Sequence, residues 1–292
     1  MIRGLYSAAS GMFAMERKQE ALSNNLANAQ TPGFKKDDAT LRSFPNMLIS
    51  RIRDYEQIQA GATGIKIPGQ PALIGELSNG VYAQERVPSF LQGSLVETGL
   101  PLDVAINDQS LPVGTVNGRQ VKPAAFFTVQ LSDGTVGYTR NGKWDVDANG
   151  QLVTSEGYRI LGSDGQPIRL NAGLTKEDIR INPDGQITLY PGRPELTTDG
   201  GQVGVAVANN PNELRRFGGS VFLADAPLQV IDGGNNPGFS LNQGFIEQSN
   251  VDLGQTMTDM MTVVRSYEAN QKVVGAYDRS LEQLNTIGRV NG

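Results

Sequence analysis

The fold is organised around one long amphipathic stretch near the end of the chain. Residues 252–287 read DLGQTMTDMMTVVRSYEANQKVVGAYDRSLEQLNTI. The apolar side chains recur at steps of three and four residues, interrupted at Gln271, and they are Met257, Met260, Val264, Tyr267, Val274, Tyr277, Leu281 and Leu284. This period places them on one side of an α-helix, in a stripe as narrow as a coiled-coil seam. So narrow a stripe cannot stabilise a helix alone, and we therefore predict that this helix has a partner.

A second stripe of the same kind lies at the other end of the chain, in residues 5–29. It keeps the three-four step, with Gln19 as its polar exception, and consists of Leu5, Ala8, Met12, Met15, Leu22, Leu26 and Ala29. We predict that this second helix pairs with the first. The asparagines nearby, Asn24, Asn25 and Asn28, are interpreted as helix-end caps and as contacts between subunits, with a polar binding site as the alternative.

Short local signals mark the ends of both predicted helices. Asp252, followed three residues later by Gln255, is typical of a helix start, and Gly288 predicts the stop. Pro32 and Gly33 predict the end of the first helix, because proline cannot continue a helix and disfavours α geometry in the residue before it.

The residues between the helices, 77–240, predict a β domain. Short alternating runs are Ala125–Leu131, Val136–Arg140, Ile179–Asn182, Gln186–Tyr190 and Val203–Val207. Hairpin dipeptides separate such runs, at Asp133-Gly134, Asn141-Gly142, Asn149-Gly150, Asp164-Gly165 and Asp184-Gly185. Turn signals this frequent favour an irregular antiparallel sheet over a parallel one.

Two connecting segments complete the predicted organisation. Residues 34–76 are expected to form an extended linker or arm, in which Met47, Leu48, Ile49 and Ile52 fit a short helix or an extended strand equally well. The tract 232–238 is rich in glycine and asparagine and predicts a return linker. The fold class is therefore α+β, with a coiled-coil-like pair of terminal helices around a central β domain. The predicted divisions are 1–33, 34–76, 77–240 and 241–292.

Composition excludes several classes of function. The 292 residues contain neither histidine nor cysteine, which excludes Ser-His-Asp triads, disulfides and zinc sites built on imidazole or thiolate. The 25 basic and 30 acidic residues are interspersed and give a net charge of −5, so no nucleic-acid partner is expected. No stretch is apolar enough to span a bilayer. We expect no catalytic residue, no cofactor, no metal and no small-molecule substrate.

Several motifs resemble those of the bacterial flagellar rod and hook family. At the first helix they are SNNLAN at 23–28 and TPGFK at 31–35; near the second they are EQSNVDL at 247–253 and RSYEAN at 265–270. In the middle they are PLDVAI at 101–106, FF at 126–127, YTRNG at 138–142 and NGQLVT at 149–154. The motifs cover both ends and the middle in the family's order. Residues 107–125 depart from the family's pattern and resemble an insertion.

The resemblance implies a structural subunit of the flagellar basal-body rod. Such a subunit would be exported through the flagellar type III apparatus without a cleaved signal, and its terminal helices would assemble with further copies and with other axial proteins into a tube. The assembly residues would then be Leu5, Met12, Met15, Leu22, Asn24, Asn25, Leu26, Asn28, Met257, Met260, Val264, Tyr267, Val274, Leu281 and Leu284. A hook-type subunit is the nearest alternative, although hook proteins generally carry a larger outer region.

Two alternatives come from other classes of protein. Residues 145–156, DVDANGQLVTSE, match the EF-hand calcium loop letter by letter, but the flanks alternate like strands, whereas an EF-hand needs a helix on each side. An Asn149-Gly150 hairpin turn is the simpler interpretation. A secreted carbohydrate-active protein is the other alternative, suggested by Trp144 and by Asp103 as half of a carboxylate pair.

Overall fold

The computed structural model describes residues 2–44, 47–51, 72–77, 80–116, 118–170, 178–192, 196–231 and 238–290. Within these ranges a long helix lies near each end of the chain and an antiparallel β region lies between the helices, so the α+β class is confirmed. The predicted return linker falls outside the described residues except for Gly238, and so do residues 45–46 and 52–71 of the predicted arm.

The terminal helices follow the predicted stretches closely. Helix α1 spans Ile2–Ala27 and helix α2 spans Leu253–Val290. Asp252 caps α2 as predicted, because its Oδ1 accepts a hydrogen bond from the amide of Gln255 at 3.0 Å. The predicted stop at Gly288 is wrong. Glycine ends a helix when it adopts a positive φ, and Gly288 keeps helical geometry instead, so α2 continues to Val290.

The chain divides into two compact units. Unit 1 takes residues 1–23, 39–86 and 257–292, and unit 2 takes residues 24–38 and 87–256. Among the described residues, four strands precede residue 89, and they are β1 (Asp37–Ser43), β2 (Met47–Arg51), β3 (Ala72–Leu77) and β4 (Val81–Pro88). Strand β1 pairs with β4, and β2 pairs antiparallel with β3. The run that begins at Met47 is therefore extended and not helical.

Unit 2 contains the remaining strands. They are β5 (Leu95–Glu97), β6 (Val104–Asn107), β7 (Gly114–Val116), β8 (Arg119–Val121), β9 (Ala124–Gln130), β10 (Val136–Thr139), β11 (Trp144–Val146), β12 (Leu152–Thr154), β13 (Arg159–Ile160), β14 (Ile179–Ile181), β15 (Gln186–Leu189), β16 (Thr198–Gln202), β17 (Val205–Ala208), β18 (Arg215–Gly218), β19 (Val221–Leu223), β20 (Gln229–Ile231), β21 (Ser240–Gln243) and β22 (Phe245–Glu247). Residues 107–125, which we predict to be an insertion, contain the β7–β8 hairpin.

The largest sheet of unit 2 has nine strands among the described residues. Its order is β11-β12-β13-β9-β10-β19-β18, and β17 pairs with both β9 and β20. Strands β14, β15 and β16 form a smaller sheet. Two further antiparallel pairs, β6 with β21 and β5 with β22, join residues before the main sheet to residues just before α2. The pairings confirm the predicted irregular antiparallel architecture.

One predicted hairpin turn is wrong. Strands β10 and β11 flank Asn141-Gly142 but do not pair with each other. Gly142 has no positive φ; instead it passes so close to Val104 that any Cβ would collide with the Val104 carbonyl. Glycine is required here for close backbone approach and not for a turn. At the other four predicted turns, glycine does have a positive φ, at Gly134, Gly150, Gly165 and Gly185.

The core of unit 2 forms on both faces of strand β9. Phe127 and Val129 point to a large cluster that includes Trp144. The rings of Phe127 and Trp144 pack edge to face, with their centroids 4.8 Å apart. Phe126 points to the opposite face, where it packs against Phe222. The alternation along one strand explains why consecutive phenylalanines are both buried. Trp144 is therefore a core residue.

Candidate assembly site

The two terminal helices pack against each other within unit 1. A Cβ at Gly4 would collide with the hydroxyl of Tyr277, and a Cβ at Gly11 would lie 2.8 Å from Asn270 Nδ2. Between these contacts α1 advances seven residues while α2 goes back seven, so the helices run antiparallel. Glycine permits this closeness because it has no side chain to separate the helix surfaces.

The buried face of α1 carries small side chains. In unit 1 its buried residues are Ala8, Gly11, Ala14 and Ala21. The other residues of the predicted stripe that lie in α1 are half-buried, and they are Leu5, Met12, Met15, Leu22 and Leu26. Ala29 is half-buried too, but α1 ends at Ala27, so the predicted stripe extends beyond the helix. Our prediction included Ala8 but weighted large apolar side chains elsewhere and so missed Gly11, Ala14 and Ala21. A spacing of seven residues between small residues could have indicated them: Gly11 follows Gly4 by seven residues, and Ala21 follows Ala14 by seven.

The predicted stripe of α2 divides into a half-buried part and an exposed part. Met260, Val264, Tyr267, Val274 and Tyr277 are half-buried, whereas Met257, Leu281 and Leu284 are exposed. The most buried apolar side chain of α2 is Val263, beside the predicted position Val264. The stripe therefore contributes to pairing along the middle of α2 and leaves apolar side chains exposed towards both of its ends.

The asparagines at the end of α1 have different environments. Asn28 Nδ2 donates to the carbonyl of Asn24 at 2.9 Å, which satisfies an acceptor in the last turn of the helix. Asn25 is buried and exchanges two hydrogen bonds with the backbone of Asp37, each 2.8 Å long. Asn24 is exposed. Asn25 therefore holds the start of β1 within its own chain, while only Asn24 presents its side chain openly.

Unit 2 contains a buried ionic cluster. In it, the segment after α1 and the segment before α2 contact the β region. Lys35 Nζ donates to Glu247 Oε1 at 2.6 Å and to the carbonyl of Leu91 at 2.8 Å. Glu247 Oε2 accepts from Arg140 at 3.3 Å, and Arg140 also forms an ion pair with Asp108. All of these charged side chains are at most 3% exposed. Two cations therefore balance two carboxylates away from water.

Burial dominates the electrostatics of this cluster. Burial and, after it, the nearby positive charge of Arg140 lower the pKa of Lys35 from its ordinary 10.5 to about 8, while Glu247 opposes both effects. A buried charge without a partner would cost far more than one paired in this way, and each member therefore depends on the others. The sequence patterns predicted neither Lys35 nor Glu247 as a site residue, because both lie outside the helical stripes.

Backbone packing brings the recognised motifs together at the same place. Gly33 has a φ of 69°, and a Cβ there would collide with the backbone of Arg140. The amide of Gly33 donates to the carbonyl of Glu247 at 2.8 Å. The side chain of Asn250 accepts from the amide of Lys36 at 2.7 Å and donates to the carbonyl of Ser89 at 2.8 Å. Residues of TPGFK, YTRNG and EQSNVDL thus meet in one cluster.

Arg216 on β18 closes the edge of this cluster. Its guanidinium lies 4.5 Å from the ring centre of Phe34 and 4.9 Å from that of Phe222. It also donates to the Asp37 carboxylate at 2.9 Å and to the carbonyl of Lys35. Stacking on aromatic rings and pairing with a carboxylate suit arginine, whose planar cation does both. The TPGFK segment is therefore held by Glu247 and by Arg216.

Residues 145–156, which match the EF-hand calcium loop in sequence, contain the hairpin turn between β11 and β12. Asp147 Oδ1 accepts from the amides of Asn149 at 2.9 Å and Gln151 at 2.7 Å, and the latter bond chiefly lowers the pKa of Asp147. Glu156, the supposed closing ligand, accepts instead from Ser220 Oγ at 3.2 Å. Both flanks are strands, as predicted. In the described ranges, no group of three or more Asp or Glu side chains is placed to hold a metal ion.

Three segments of the chain match described protein families. Residues 5–35 match "Flagella basal body rod protein" and contain most of α1 with the turn that follows. Residues 120–189 match "Flagellar hook protein FlgE/F/G D1 domain", which covers β9 to β15. Residues 242–287 match "Flagellar basal body rod FlgEFG protein C-terminal", which covers β22 and most of α2. Lys35, Arg140 and Glu247 of the ionic cluster each lie within one of the three matched segments.

Full-length relatives agree with these segments. The chain is 38% identical to the flagellar hook-basal body complex protein FlhO of Bacillus subtilis, over 99% of the chain and all of that protein. The chain belongs to the flagellar rod and hook protein family. It is also 30% identical to the basal-body rod protein FlgG of Borreliella burgdorferi and 28% identical to FlgG of Bacillus subtilis, each over 99% of the chain and all of that protein.

Family membership makes this rod protein a structural component of the flagellar basal body, as the sequence motifs implied. Across the described ranges, neither helix combines the length and the hydropathy that a membrane span requires. A hook-type role and a carbohydrate or calcium function are not favoured by these matches.

Proposed function

We propose that this rod protein self-assembles through α1 and α2 into a tube that transmits torque along the flagellar axis. Other axial proteins of the rod and hook are its expected neighbours, and the export apparatus delivers it. Residues 1–33 and 241–292 act as assembly segments, 34–76 as a connecting arm, and 77–240 as the outer domain. The role is mechanical, and no catalysis is expected.

The observation that carries this proposal is the exposure of large apolar side chains on the paired helices. Those with large exposed fractions are Tyr6, Phe13, Met257, Met261, Val273, Leu281, Leu284 and Ile287. Large apolar side chains exposed on a helix supply the contact area that an interaction surface needs. Tyr6 and Phe13 are seven residues apart on α1, on the side away from its buried face. Helix pairing therefore leaves an outer apolar surface for neighbouring copies.

The pair itself supports a coiled-coil-like arrangement. The contacts of Gly4 and Gly11 recur after seven residues, which is the step of a heptad. Small residues bring the backbones close, and half-buried larger ones such as Met12 and Val264 flank them. We infer that the pair is a preformed unit whose outer faces join other pairs, so that each subunit contributes one building block to the tube.

Self-association of the full-length protein tests the proposal. Phe13 is 69% exposed, so Phe13→Ser should leave the fold intact and lower the sedimenting fraction at least tenfold relative to wild type. The matched control is Phe217→Ser, which removes an aromatic side chain that is 53% exposed on β18 and should assemble normally. Electron microscopy of the sedimented wild type should show tubular assemblies. Equal assembly of both variants, or a wild type that stays monomeric, would refute the proposal.

A further inference from the structure

Two segments of unit 2 reach the buried ionic cluster from opposite ends of the chain. Residues 31–37, which we call the N-segment, follow α1, and residues 244–250, which we call the C-segment, precede α2. The N-segment supplies Lys35 and the C-segment supplies Glu247. Each segment thus contributes one charge to the cluster, and the two contributed charges have opposite signs.

The β region is electrically balanced without either segment. Arg140 and Asp108 form an ion pair with each other, and their side chains are 0% and 3% exposed. Docking of the N-segment alone would add the ammonium group of Lys35 and bury a net positive charge. Docking of the C-segment alone would add the carboxylate of Glu247 and bury a net negative charge. Because an uncompensated buried charge is strongly unfavourable, only docking of both segments keeps the site neutral.

The nearest other charged groups leave this balance unchanged. Arg216 donates to the carbonyl of Lys35, and its guanidinium also pairs with the carboxylate of Asp37 at 2.9 Å. The two charges of that pair cancel. Lys36, the remaining ionisable residue of the two segments, is exposed and keeps its charge in water.

The hydrogen bonds of Glu247 link the N-segment to the β region. Its Oε1 accepts from Lys35 Nζ at 2.6 Å and from the amide of Gly93 at 2.8 Å, and its Oε2 accepts from Arg140 at 3.3 Å. Lys35 Nζ also donates to the carbonyl of Leu91 at 2.8 Å. Without the C-segment, a docked Lys35 would lose its carboxylate partner and be left with this neutral acceptor. Hydrogen bonding therefore favours the same outcome as charge balance.

We propose that the ionic cluster is an interlock, in which each of the two segments docks on the β region only when the other segment is docked. The dockings are coupled because each segment compensates the charge that the other brings. Lys35 is synthesised before Glu247, so the N-segment stays undocked until the C-segment is present. The interlock therefore fixes the segment after α1 and the segment before α2 in a single late step. It acts within one chain and is independent of self-assembly.

A double-mutant cycle on the full-length protein in dilute solution tests the interlock. Glu247→Gln and Lys35→Met each leave an uncompensated charge in the cluster, whereas the double variant leaves Arg140 balanced by Asp108. The measurements are made at pH 6, where Lys35 carries its proton because its pKa is about 8. Any loss of hydrogen bonds that does not depend on charge compensation is common to the single and double variants and cancels in the cycle.

Hydrogen exchange reports the docking of each segment at an amide whose acceptor lies outside the opposite segment. The amide of Asp37 donates to Asn25 Oδ1 and reports the N-segment. The amide of Gln248 donates to the carbonyl of Ser94 and reports the C-segment. Faster exchange at either amide therefore shows release of its segment and not merely the loss of a direct contact between the two.

The interlock predicts that the two substitutions compensate each other. We expect Glu247→Gln to accelerate exchange of the Asp37 amide at least tenfold, and Lys35→Met to accelerate exchange of the Gln248 amide at least tenfold. In the double variant, each amide should exchange at least fivefold more slowly than in that single variant. Exchange in the double variant as fast as in the single variants would refute the interlock, and so would single variants without acceleration.

The single tryptophan of the chain distinguishes loss of docking from loss of the fold. Trp144 is buried in the core of unit 2, so its fluorescence reports whether that core is folded. If a single variant unfolds the core, the interlock requires the double variant to restore the fluorescence of wild type. A double variant that stays unfolded in that case would also refute the interlock.

An exposed ion pair provides the matched control cycle. Arg215 and Asp225 are paired, but their side chains are 75% and 76% exposed, so neither charge depends on its partner. Arg215→Met, Asp225→Asn and their double variant should change exchange of the two reporter amides by no more than twofold. The same compensation in this control cycle as in the buried one would contradict the role assigned to charge balance.

Discussion

Lys35 Nζ lies 2.6 Å from Glu247 Oε1, and both side chains are 1% exposed. The two residues are 212 positions apart, one shortly after α1 and the other shortly before α2. Arg140 of the β region completes the arrangement through the second oxygen of Glu247. A buried ion pair thus ties both ends of unit 2 to its β region, and its removal should be measurable in stability.

Glu247→Gln tests the ionic cluster. The substitution leaves Lys35 and Arg140 buried with Asp108 as the nearest remaining carboxylate, and breaking a buried pair in this way costs about 3–5 kcal/mol. Urea unfolding of the full-length protein should show this loss. Asp225→Asn is the control, because Arg215 and Asp225 are paired but about three-quarters exposed, so its cost should stay below about 1 kcal/mol. Similar losses in the two variants would contradict the assigned importance of the cluster.

The pH dependence of stability should carry a contribution from Lys35. Its pKa is about 8 in the folded protein and 10.5 without burial, so between these values the unfolded chain binds more protons than the folded one. The contribution of Lys35 to the unfolding free energy is therefore least favourable below pH 8 and rises as pH increases towards 10.5. Lys35→Met lacks this contribution.

Urea unfolding of wild type and Lys35→Met from pH 7 to pH 10.5 measures the difference. We expect the stability of wild type relative to Lys35→Met to increase from about pH 8 to pH 10.5 and to be constant between pH 7 and about pH 8. A difference that is flat across the window would show that the Lys35 pKa is not lowered.

Truncation tests where the β region ends. A fragment of residues 34–249 should fold as a monomer, because it keeps the core of unit 2. It lacks the Asn25–Asp37 bonds, the Gly33–Glu247 bond and the bonds of Asn250. At about 1 kcal/mol for each hydrogen bond, a fragment of residues 24–256 should be more stable by a few kcal/mol. Thermal unfolding compares the two, and equal melting temperatures would show that these segments add nothing.

Close helix packing predicts opposite effects for two glycines. Gly11→Val introduces a Cβ 2.8 Å from Asn270 Nδ2 and should cost about 1–3 kcal/mol through overpacking. Gly275 on α2 has open space within 4 Å of the position that an alanine methyl would take, so Gly275→Ala should stabilise the helix by about 0.5–1 kcal/mol. Circular dichroism during thermal unfolding measures both. Destabilisation by both substitutions to the same extent would argue against the antiparallel register.

Burial along α2 predicts which charge is tolerated. Val263 is 3% exposed, so Val263→Asp places a carboxylate without a partner in the helix pair and should cost several kcal/mol. Lys272 is exposed, so the new carboxylate of Lys272→Asp stays in water and should change stability by about 0.5 kcal/mol or less. In cells, the first variant should abolish motility and the second should swim. Normal swimming by the Val263 variant would mean that helix pairing is not needed for rod function.

Much of the fold could be predicted because its signals are local. The periodic apolar residues of 252–287 and 5–29 predicted both helices within a few residues, and Asp252 with Gln255 predicted the start of α2. Alternation and turn dipeptides predicted the antiparallel β region, since a strand's side chains alternate and a positive φ favours glycine. The family also followed from short motifs in order along the chain.

Three-dimensional packing decided the rest. Whether Val263 or Val264 faces α1 depends on helix rotation, and Gly11 matters only because Asn270 faces it. Gly142 looked like a turn residue, yet its role comes from Val104 passing beside it. The partnership of Lys35 with Glu247 spans 212 positions, and no local pattern encodes it. Sequence periodicity reports which residues share a face of one element, whereas contacts between distant elements exist only once the chain has folded.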